Sequence, residues 1–208
     1  MSGWVIFFNA SRKVGTARRP HPVLTIRNKC SLALVAVLWA ATSPATTYLT
    51  QDEALAQAFP GAQMERISHV LTDAQMEQAA DLAGKPLPSA LAAAYVATRS
   101  GVVVGTAYFD AHRVHSHPQT LMIVVNPDGT VADVVVVAFE EPRKYQAPAA
   151  WLKQFPGRKL DDQLNLRKDI QGISGATLTA RATTKAVRRT LALHAVLNRS
   201  PDTGHPSP

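Results

Sequence analysis

Small and hydroxyl-bearing side chains crowd the stretch GISGATLT, residues 172–179, directly before a segment with helical periodicity. The first N–H groups of a helix have no intrahelical partner and carry the positive end of its dipole, so a phosphate placed there is stabilised. Gly172 and Gly175 allow tight turns and a close approach of the backbone to a ligand. In the alternative interpretation, Ser174 or Thr177 simply caps the helix by accepting a backbone hydrogen bond. The stretch is therefore either a phosphate-binding candidate or a cap.

The elements around this stretch predict an α+β fold, with a mostly antiparallel sheet flanked by helices. Apolar runs predict strands over residues 92–99, 102–111, 119–125 and 130–139, and an NPDG turn joins the last two. Helical spacing predicts helices over residues 50–59, 71–84, 147–155 and 179–198. In the second helix, Thr72 and Gln75 have the spacing of a capping box, and Gly84 ends the helix.

Composition and charge argue against a nucleic-acid partner. Of the 22 Lys and Arg residues, six lie within residues 1–29, and the first acidic residue is Asp52. The other 16 basic residues are balanced by 15 acidic ones, whereas a nucleic-acid binder needs a basic surface. Cys30 is the single cysteine, which excludes an intrachain disulfide and a Cys-based metal cluster.

The N-terminal region is predicted to be a targeting segment. Basic residues precede the apolar run CSLALVAVLWAA, residues 30–41, and small residues follow, in the order of a secretory signal. An uncleaved membrane anchor and a buried N-terminal helix are the alternatives. We predict a signal segment and linker over residues 1–50, one domain over 51–198 and a disordered tail over 199–208. The protein is then exported, and is periplasmic or anchored in the membrane facing the periplasm.

Three histidines, His112, His115 and His117, form a second cluster that could bind a ligand. On an extended strand His115 and His117 would share one face, as a pair of metal ligands does. Few acidic residues lie nearby, and the alternatives are a structural role or contact with a cofactor or partner. Glu140 and Glu141 are adjacent, so a strand would direct them to opposite faces, and joint acid–base catalysis is not expected. We assign neither a metal site nor a catalytic residue.

The segment SGATLT, residues 174–179, resembles the flavinylation motif of the covalent FMN-binding domain. That domain occurs in the C subunit of sodium-translocating NADH:quinone reductases, in the G subunit of Rnf-type electron-transport complexes and in stand-alone exported FMN-binding proteins. Residues 109–129 are also similar to stand-alone members, so the resemblance covers about residues 71–194. It implies an FMN-binding-domain-like fold within the α+β class.

In the family pattern, Asp-x-x-Ser/Thr-Gly-Ala-Thr, the final threonine carries FMN through a phosphoester bond, and here that residue is Thr177. The resemblance also implies that a separate flavin transferase attaches FMN from FAD, with Mg²⁺. The local sequence is consistent with this, because a threonine hydroxyl is a poor nucleophile and the stretch supplies no His or Lys base. The implied cofactor-binding residues are Ser174, Gly175, Ala176, Thr177, Leu178 and Thr179.

The chain departs from the pattern at Gln171, which replaces the family's aspartate, while Asp169 lies two residues early. Three outcomes stay open: the transferase tolerates Gln171, the protein holds FMN without the bond, or it has lost flavin. The implied function is an electron carrier that works with membrane redox partners, as a component of a redox chain rather than a self-sufficient enzyme. The alternative from another class is a non-redox binding module of the cell envelope.

Further side chains near the motif are candidates for contact with FMN. Three cations are close enough in sequence to neutralise a phosphate, or are solvated surface charges: Arg167, Lys168 and Arg181. Three aromatic residues could stack on the flavin ring: Tyr145, Trp151 and Phe155. Trp151 and Phe155 lie four apart on a predicted helix, a spacing that more often indicates core packing.

Overall fold

The computed structural model describes residues 46–199. Most of the predicted signal segment and linker, with Cys30, and nearly all of the predicted tail lie outside these residues. The described part is an antiparallel sheet with helices packed on it, which confirms the predicted α+β class. Among these residues, no helix is both long and apolar enough to cross a membrane.

Six strands and four α-helices build the described part of the chain. The strands are β1 (Thr46–Thr47), β2 (Gln63–Val70), β3 (Leu91–Arg99), β4 (Val102–Arg113), β5 (Pro118–Val125) and β6 (Val131–Phe139). The helices are α1 (Gln51–Ala58), α2 (Asp73–Ala83), α3 (Ala149–Leu152) and α4 (Thr177–Arg199), with a 3₁₀ turn at Arg143–Tyr145. The strand order is β1-β6-β5-β4-β3-β2, and each neighbouring pair is antiparallel.

The structure differs from the predicted elements in three places. Strand β2 was not predicted, and β1 lies within the predicted linker, where it pairs with the end of β6. The predicted helix over residues 147–155 shortens to α3. The amides of Gln154 and Phe155 bond to carbonyls only three residues back, those of Trp151 and Leu152. These shorter hydrogen bonds tighten the chain and end the α-helix.

Alternation of side chains along β5 builds a core on each face of the sheet. Leu121, Ile123 and Val125 are fully buried on the face covered by α3 and α4. Met122 and Val124 are buried on the opposite face, together with residues of α1. The continuous apolar run of β5 therefore follows from burial on both faces.

Helix α4 is fixed to the sheet by a buried stripe of small and apolar side chains that includes Ala186, Val187 and Leu191. Its first turn is attached to the 3₁₀ turn, because the Thr179 hydroxyl donates a hydrogen bond of 2.6 Å to the Tyr145 carbonyl. The fold thus brings the start of α4 close to the segment that follows β6.

Candidate functional site

A cavity of about 400 Å³ lies at the start of α4. Three parts of the chain line it: the β4–β5 turn, the segment after β6 and the first residues of α4. The lining residues are Val114, His115, Glu141, Tyr145, Gly175, Ala176, Thr177, Leu178 and Thr179. Small-molecule sites measure roughly 300–1,000 Å³, so the cavity is large enough for a ligand. Every residue of the implied cofactor-binding set except Ser174 lies in this wall.

The start of α4 has no side-chain cap. Ala176 immediately precedes the helix and has no hydroxyl group. Within residues 46–199, the exposed hydroxyls of Ser174 and Thr177 make no hydrogen bond, and the backbone N–H groups of Thr177, Leu178 and Thr179 have no partner either. The simple-cap interpretation of the motif is therefore wrong. The free N–H groups and the helix dipole can instead accept an anion.

The backbone turns into α4 at Gly175, where φ is 76°. This left-handed conformation is readily adopted only by glycine, so the glycine of the motif has a backbone reason. The amide of Ala176 donates to the Ile173 carbonyl at 3.2 Å, which closes the turn. Gly172 does not have a positive φ, so its backbone conformation does not require glycine.

The three aromatic candidates separate into one cavity residue and two core residues. Tyr145 lines the cavity, and the Lys144 ammonium lies 4.9 Å from the centre of its ring. Phe155 is fully buried, and its ring packs edge-on against Trp151 at 5.3 Å. The spacing of four residues between Trp151 and Phe155 therefore reflects packing of the two rings in the core. Lys144 is a neighbouring cation that the sequence analysis did not consider.

The three predicted cations lie outside the cavity wall. The Lys168 ammonium donates to the Asp162 carbonyl at 2.8 Å, and the Arg167 and Arg181 side chains are exposed. Arg181 lies in the second turn of α4, but its side chain is not part of the cavity wall. Their assignment as phosphate contacts receives no support from the geometry.

Gln171 is held by its backbone and not by its side chain. Its carbonyl accepts a hydrogen bond from the Trp151 indole at 2.7 Å, and its amide donates to the Gln154 side chain at 2.9 Å. The side chain of Gln171 is exposed. Asp169 forms an ion pair with Arg158 at 2.5 Å. Asp169 therefore has a partner of its own, while the environment of position 171 would accommodate an aspartate.

The three histidines do not form one cluster. His112, on β4, bonds to Asp110 at 2.8 Å, whereas His115 lines the cavity. The prediction that His115 and His117 share a strand face is wrong, because β4 ends at Arg113 and both histidines lie in the turn before β5. In the described part of the chain, no three His, Cys, Asp or Glu side chains are grouped as metal ligands.

Glu141 fixes the turn that carries His115. One oxygen of its carboxylate accepts hydrogen bonds from the backbone amides of Ser116 at 2.6 Å and His117 at 2.8 Å. These bonds, that of His117 first, lower the pKa of Glu141 to about 2, although burial opposes the shift. The side chain is only 7% exposed and belongs to the cavity wall. Sequence analysis missed this role, since the two segments lie about 25 residues apart.

A buried polar group lies in the same hairpin. Gln119 is fully buried and faces His112 across the β4–β5 pair. Neither the amide atoms of Gln119 nor the Nε2 atom of His112 has a hydrogen-bond partner among the described residues. Burial alone would raise the pKa of Asp110, but hydrogen bonds from His112 and Arg189 hold it below its ordinary value. The β4–β5 hairpin beside the cavity therefore carries polar side chains on its buried positions as well as at its turn.

These features define an α+β domain with an anion-accepting helix start beside a ligand-sized cavity. The sequence model of the FMN-binding domain matches residues 115–192, a segment that contains every cavity residue except Val114. Through this match, residues 115–192 of the chain are similar to the FMN-binding domain.

No curated protein matches the chain in sequence. The chain is also similar in structure to NqrC of Shewanella oneidensis, known from a crystal structure, with a TM-score of 0.47 and 17% sequence identity. That alignment covers 72% of this chain and 91% of NqrC.

Proposed function

We propose that the protein is a flavoprotein electron carrier that holds FMN through a phosphoester bond to Thr177. The observation that carries this proposal is the combination at the start of α4. A threonine hydroxyl without an internal partner lies beside uncapped N–H groups, in the wall of a cavity of about 400 Å³. The same residues fall within the FMN-binding domain match.

The residues present fit the two ends of FMN. The free N–H groups of Thr177, Leu178 and Thr179 suit the phosphate, which the helix dipole also stabilises. Tyr145 and Leu178 are exposed apolar surfaces in the wall, suited to a flavin ring. FMN supplies reversible electron transfer when bound, and the protein sets its position and potential.

Attachment of FMN is assigned to a separate flavin transferase. The Thr177 hydroxyl has no hydrogen-bonded base among the described residues, so none of these residues activates it as a nucleophile. The folded site does place His115 and Glu141 in the same cavity wall, which the local sequence did not indicate. The transferase would use FAD and Mg²⁺, as the family resemblance implies.

The proposed setting is a membrane-associated redox chain outside the cytoplasm. The basic and apolar order of residues 1–41 supports export, with either cleavage or anchoring. A covalent bond would retain a cofactor that is scarce there. Membrane redox partners would then deliver and remove electrons, with the flavoprotein as a component rather than an enzyme with its own substrate.

The intact mass of the protein co-expressed with a flavin transferase tests the covalent bond. We expect a gain of one FMN less one water, which is lost in Thr177→Ala. Thr72→Ala is the control, since it also removes a threonine hydroxyl but at the start of α2, outside the cavity wall. An unmodified wild-type mass, or a gain that persists in Thr177→Ala, contradicts the bond to Thr177. Flavin absorbance of the native, unmodified protein would then reveal FMN bound without the bond.

A further inference from the structure

The exposed large apolar side chains of the described residues lie in two regions. Tyr145 and Leu178 belong to the candidate FMN cavity. The others are on β2, on its neighbour β3 and on the following strand β4: Met64, Ile67, Val70, Leu91, Val102 and Val103. Val70 is 79% exposed and Leu91 is 66% exposed, and these two residues are cross-strand neighbours. Met64 and Val70 lie on one face of β2 and Ile67 on the other, and none of the six side chains lines the cavity.

Strand β2 is an outer strand with an open edge. It pairs with β3 over all eight residues, from Gln63 to Val70, without a register shift. Within residues 46–199, no strand pairs with its other side. Proteins usually protect such edges by short strands, prolines, bulges or charged side chains. At the opposite edge β1 is only two residues long, whereas β2 is eight residues long, has no proline or bulge, and carries only Glu65 and Arg66 as charged side chains.

We propose that β2 is the interface of a symmetric dimer, in which it pairs antiparallel with β2 of a second copy. A two-fold axis perpendicular to the sheet requires that opposed side chains lie on the same face. Ile67 opposite Ile67 of the second copy satisfies this condition. The pairs on either side are then Met64 with Val70, Glu65 with His69 and Arg66 with Ser68 of the second copy.

This register is self-complementary in charge and polarity. Apolar residues oppose apolar residues, and the one acidic side chain opposes a histidine. The neighbouring register centred on Arg66 brings two arginines together, and like charges directly opposite each other destabilise a sheet. The register centred on Ser68 sets Arg66 against Val70 and Ile67 against His69. The sequence of β2 thus favours one register and a second copy of the chain over an unrelated strand.

The dimer interface is separate from the cavity. No cavity residue lies on β2 or β3, so the pairing does not require FMN and leaves the start of α4 uncovered by the paired strands. The proposal is therefore independent of the proposed function. It adds a partner, a second copy of the same chain, at the open edge of β2.

Sedimentation velocity of the full chain over a range of concentrations tests the dimer. We expect a reversible monomer–dimer equilibrium, which Ile67→Lys shifts towards monomer by about ten-fold or more, because it places two lysines opposite each other. Val102→Lys is the matched control: it is exposed but lies on β4, about 10 Å from the edge. A monomer at all concentrations, or a dimer that Ile67→Lys leaves unchanged, overturns the proposal.

Cysteine cross-linking tests the register without destabilising the strand. In a Cys30→Ser background, Ile67→Cys places two thiols directly opposite each other, within the distance that a disulfide bridges. Ser68→Cys places its thiol opposite Arg66 of the second copy instead. We expect an oxidised, covalent dimer from Ile67→Cys and little from Ser68→Cys. Equal cross-linking of both variants, or of Ser68→Cys alone, overturns the Ile67-centred register.

Discussion

The starts of α2 and α4 use hydroxyl side chains in opposite ways. At α2, the Thr72 hydroxyl accepts from the Gln75 amide at 3.3 Å, and the Gln75 side chain accepts from the Thr72 amide at 2.9 Å. At α4, Ala176 takes the capping position, and Ser174 and Thr177 keep free hydroxyls. At α2, side chains of the helix itself bond to the terminal N–H groups, whereas at α4 the terminal N–H groups remain open to a ligand.

The difference shows that the hydrogen bonds at a helix start distinguish a capping hydroxyl from one that is available to a ligand. A cap that is bonded on both sides contributes to folding, and its hydroxyl is not available for a covalent bond. Helix α1 repeats the arrangement of α2, with Thr50 and Glu53 as its capping box. The SGATLT segment lacks Glu or Gln three residues after Ala176, where Thr179 instead bonds to the Tyr145 carbonyl. The hydroxyls of Ser174 and Thr177 therefore do not cap α4.

Exchange of the two threonines for alanine should separate folding from flavin attachment. Thr72→Ala removes a cap and should lower the free energy of unfolding by about 0.5–2 kcal/mol, without loss of covalent FMN. Thr177→Ala removes a hydroxyl without an internal partner, so we expect complete loss of covalent FMN and a stability change within about 0.5 kcal/mol. Urea unfolding and flavin absorbance after denaturation measure the two effects.

Unfolding should be compared on flavin-free protein, so that the cofactor does not contribute to the wild-type stability. If Thr177→Ala destabilised the flavin-free protein as much as Thr72→Ala does, then Thr177 would be a structural cap after all.

Local chemistry in the sequence predicted much of the fold. The strands β5 and β6 carry strong signals, because both faces of β5 are buried and the turn between them closes at Gly129, where φ is 81°. Strand β2 carries none, since its exposed edge position allows Gln, Glu, Arg, Ser and His. Its structure comes from pairing with β3, and a single sequence does not show which segments pair.

The candidate site was predictable only where its residues are contiguous. The SGATLT segment predicts a helix start, and α4 does begin within it, at Thr177. Glu141 and Tyr145 reach the cavity through tertiary contacts that span 25 and 34 residues, the bonds of Ser116 with Glu141 and of Thr179 with Tyr145. The prediction from the spacing of His115 and His117 was wrong, because these residues lie in the turn between β4 and β5 and not on a strand. Periodicity predicts local structure but does not mark where a strand ends.

Gln171→Asp should increase flavin attachment by several-fold if the transferase reads the aspartate of the family pattern. The backbone bonds of residue 171 do not involve its side chain, so the variant should keep wild-type stability within about 0.5 kcal/mol. Time courses of flavinylation with the transferase measure the rate. Asp169→Asn is the contrast, because it breaks the ion pair with Arg158 and should affect stability rather than attachment. An unchanged rate in Gln171→Asp would show that Gln171 is fully tolerated.

Two glycines with similar positive φ angles sharpen the comparison of the helices. Gly175 lies just before α4 with φ of 76°, and Gly84 lies just after α2 with φ of 74°. An alanine side chain meets no neighbour within 4 Å at either position. Each Gly→Ala change should therefore cost about 1–2 kcal/mol of stability through backbone strain alone. Only Gly175→Ala should also slow flavin attachment, and equal flavin yields in the two variants would separate the Gly175 turn from the site.

The smallest effect is expected in the pH dependence of stability, where a site carboxylate can be compared with a capping carboxylate. Hydrogen bonds from backbone amides, that of His117 first, lower the pKa of Glu141 to about 2. Its unfolded pKa is about 4.3, so the charged form stabilises the folded state above that pH. This contribution declines as the pH falls below about 4.3 and is lost as it falls through about 2. Glu141→Gln should remove it, so its stability difference from the wild type should shrink across this acid range.

Glu53→Gln in the α1 capping box provides the control for that measurement. A backbone hydrogen bond from Thr50 also lowers the pKa of Glu53, so both variants should flatten the acid dependence in the same direction. Only Glu141→Gln loosens the turn that carries His115 at the cavity, and only this variant should alter the visible spectrum of bound flavin. Chemical unfolding between pH 7 and 2, with flavin spectra at pH 7, distinguishes the two carboxylates. Identical flavin spectra for the wild type and Glu141→Gln would contradict a role of Glu141 in the flavin site. Its hydrogen bonds would then only stabilise the β4–β5 turn, as those of Glu53 stabilise the start of α1.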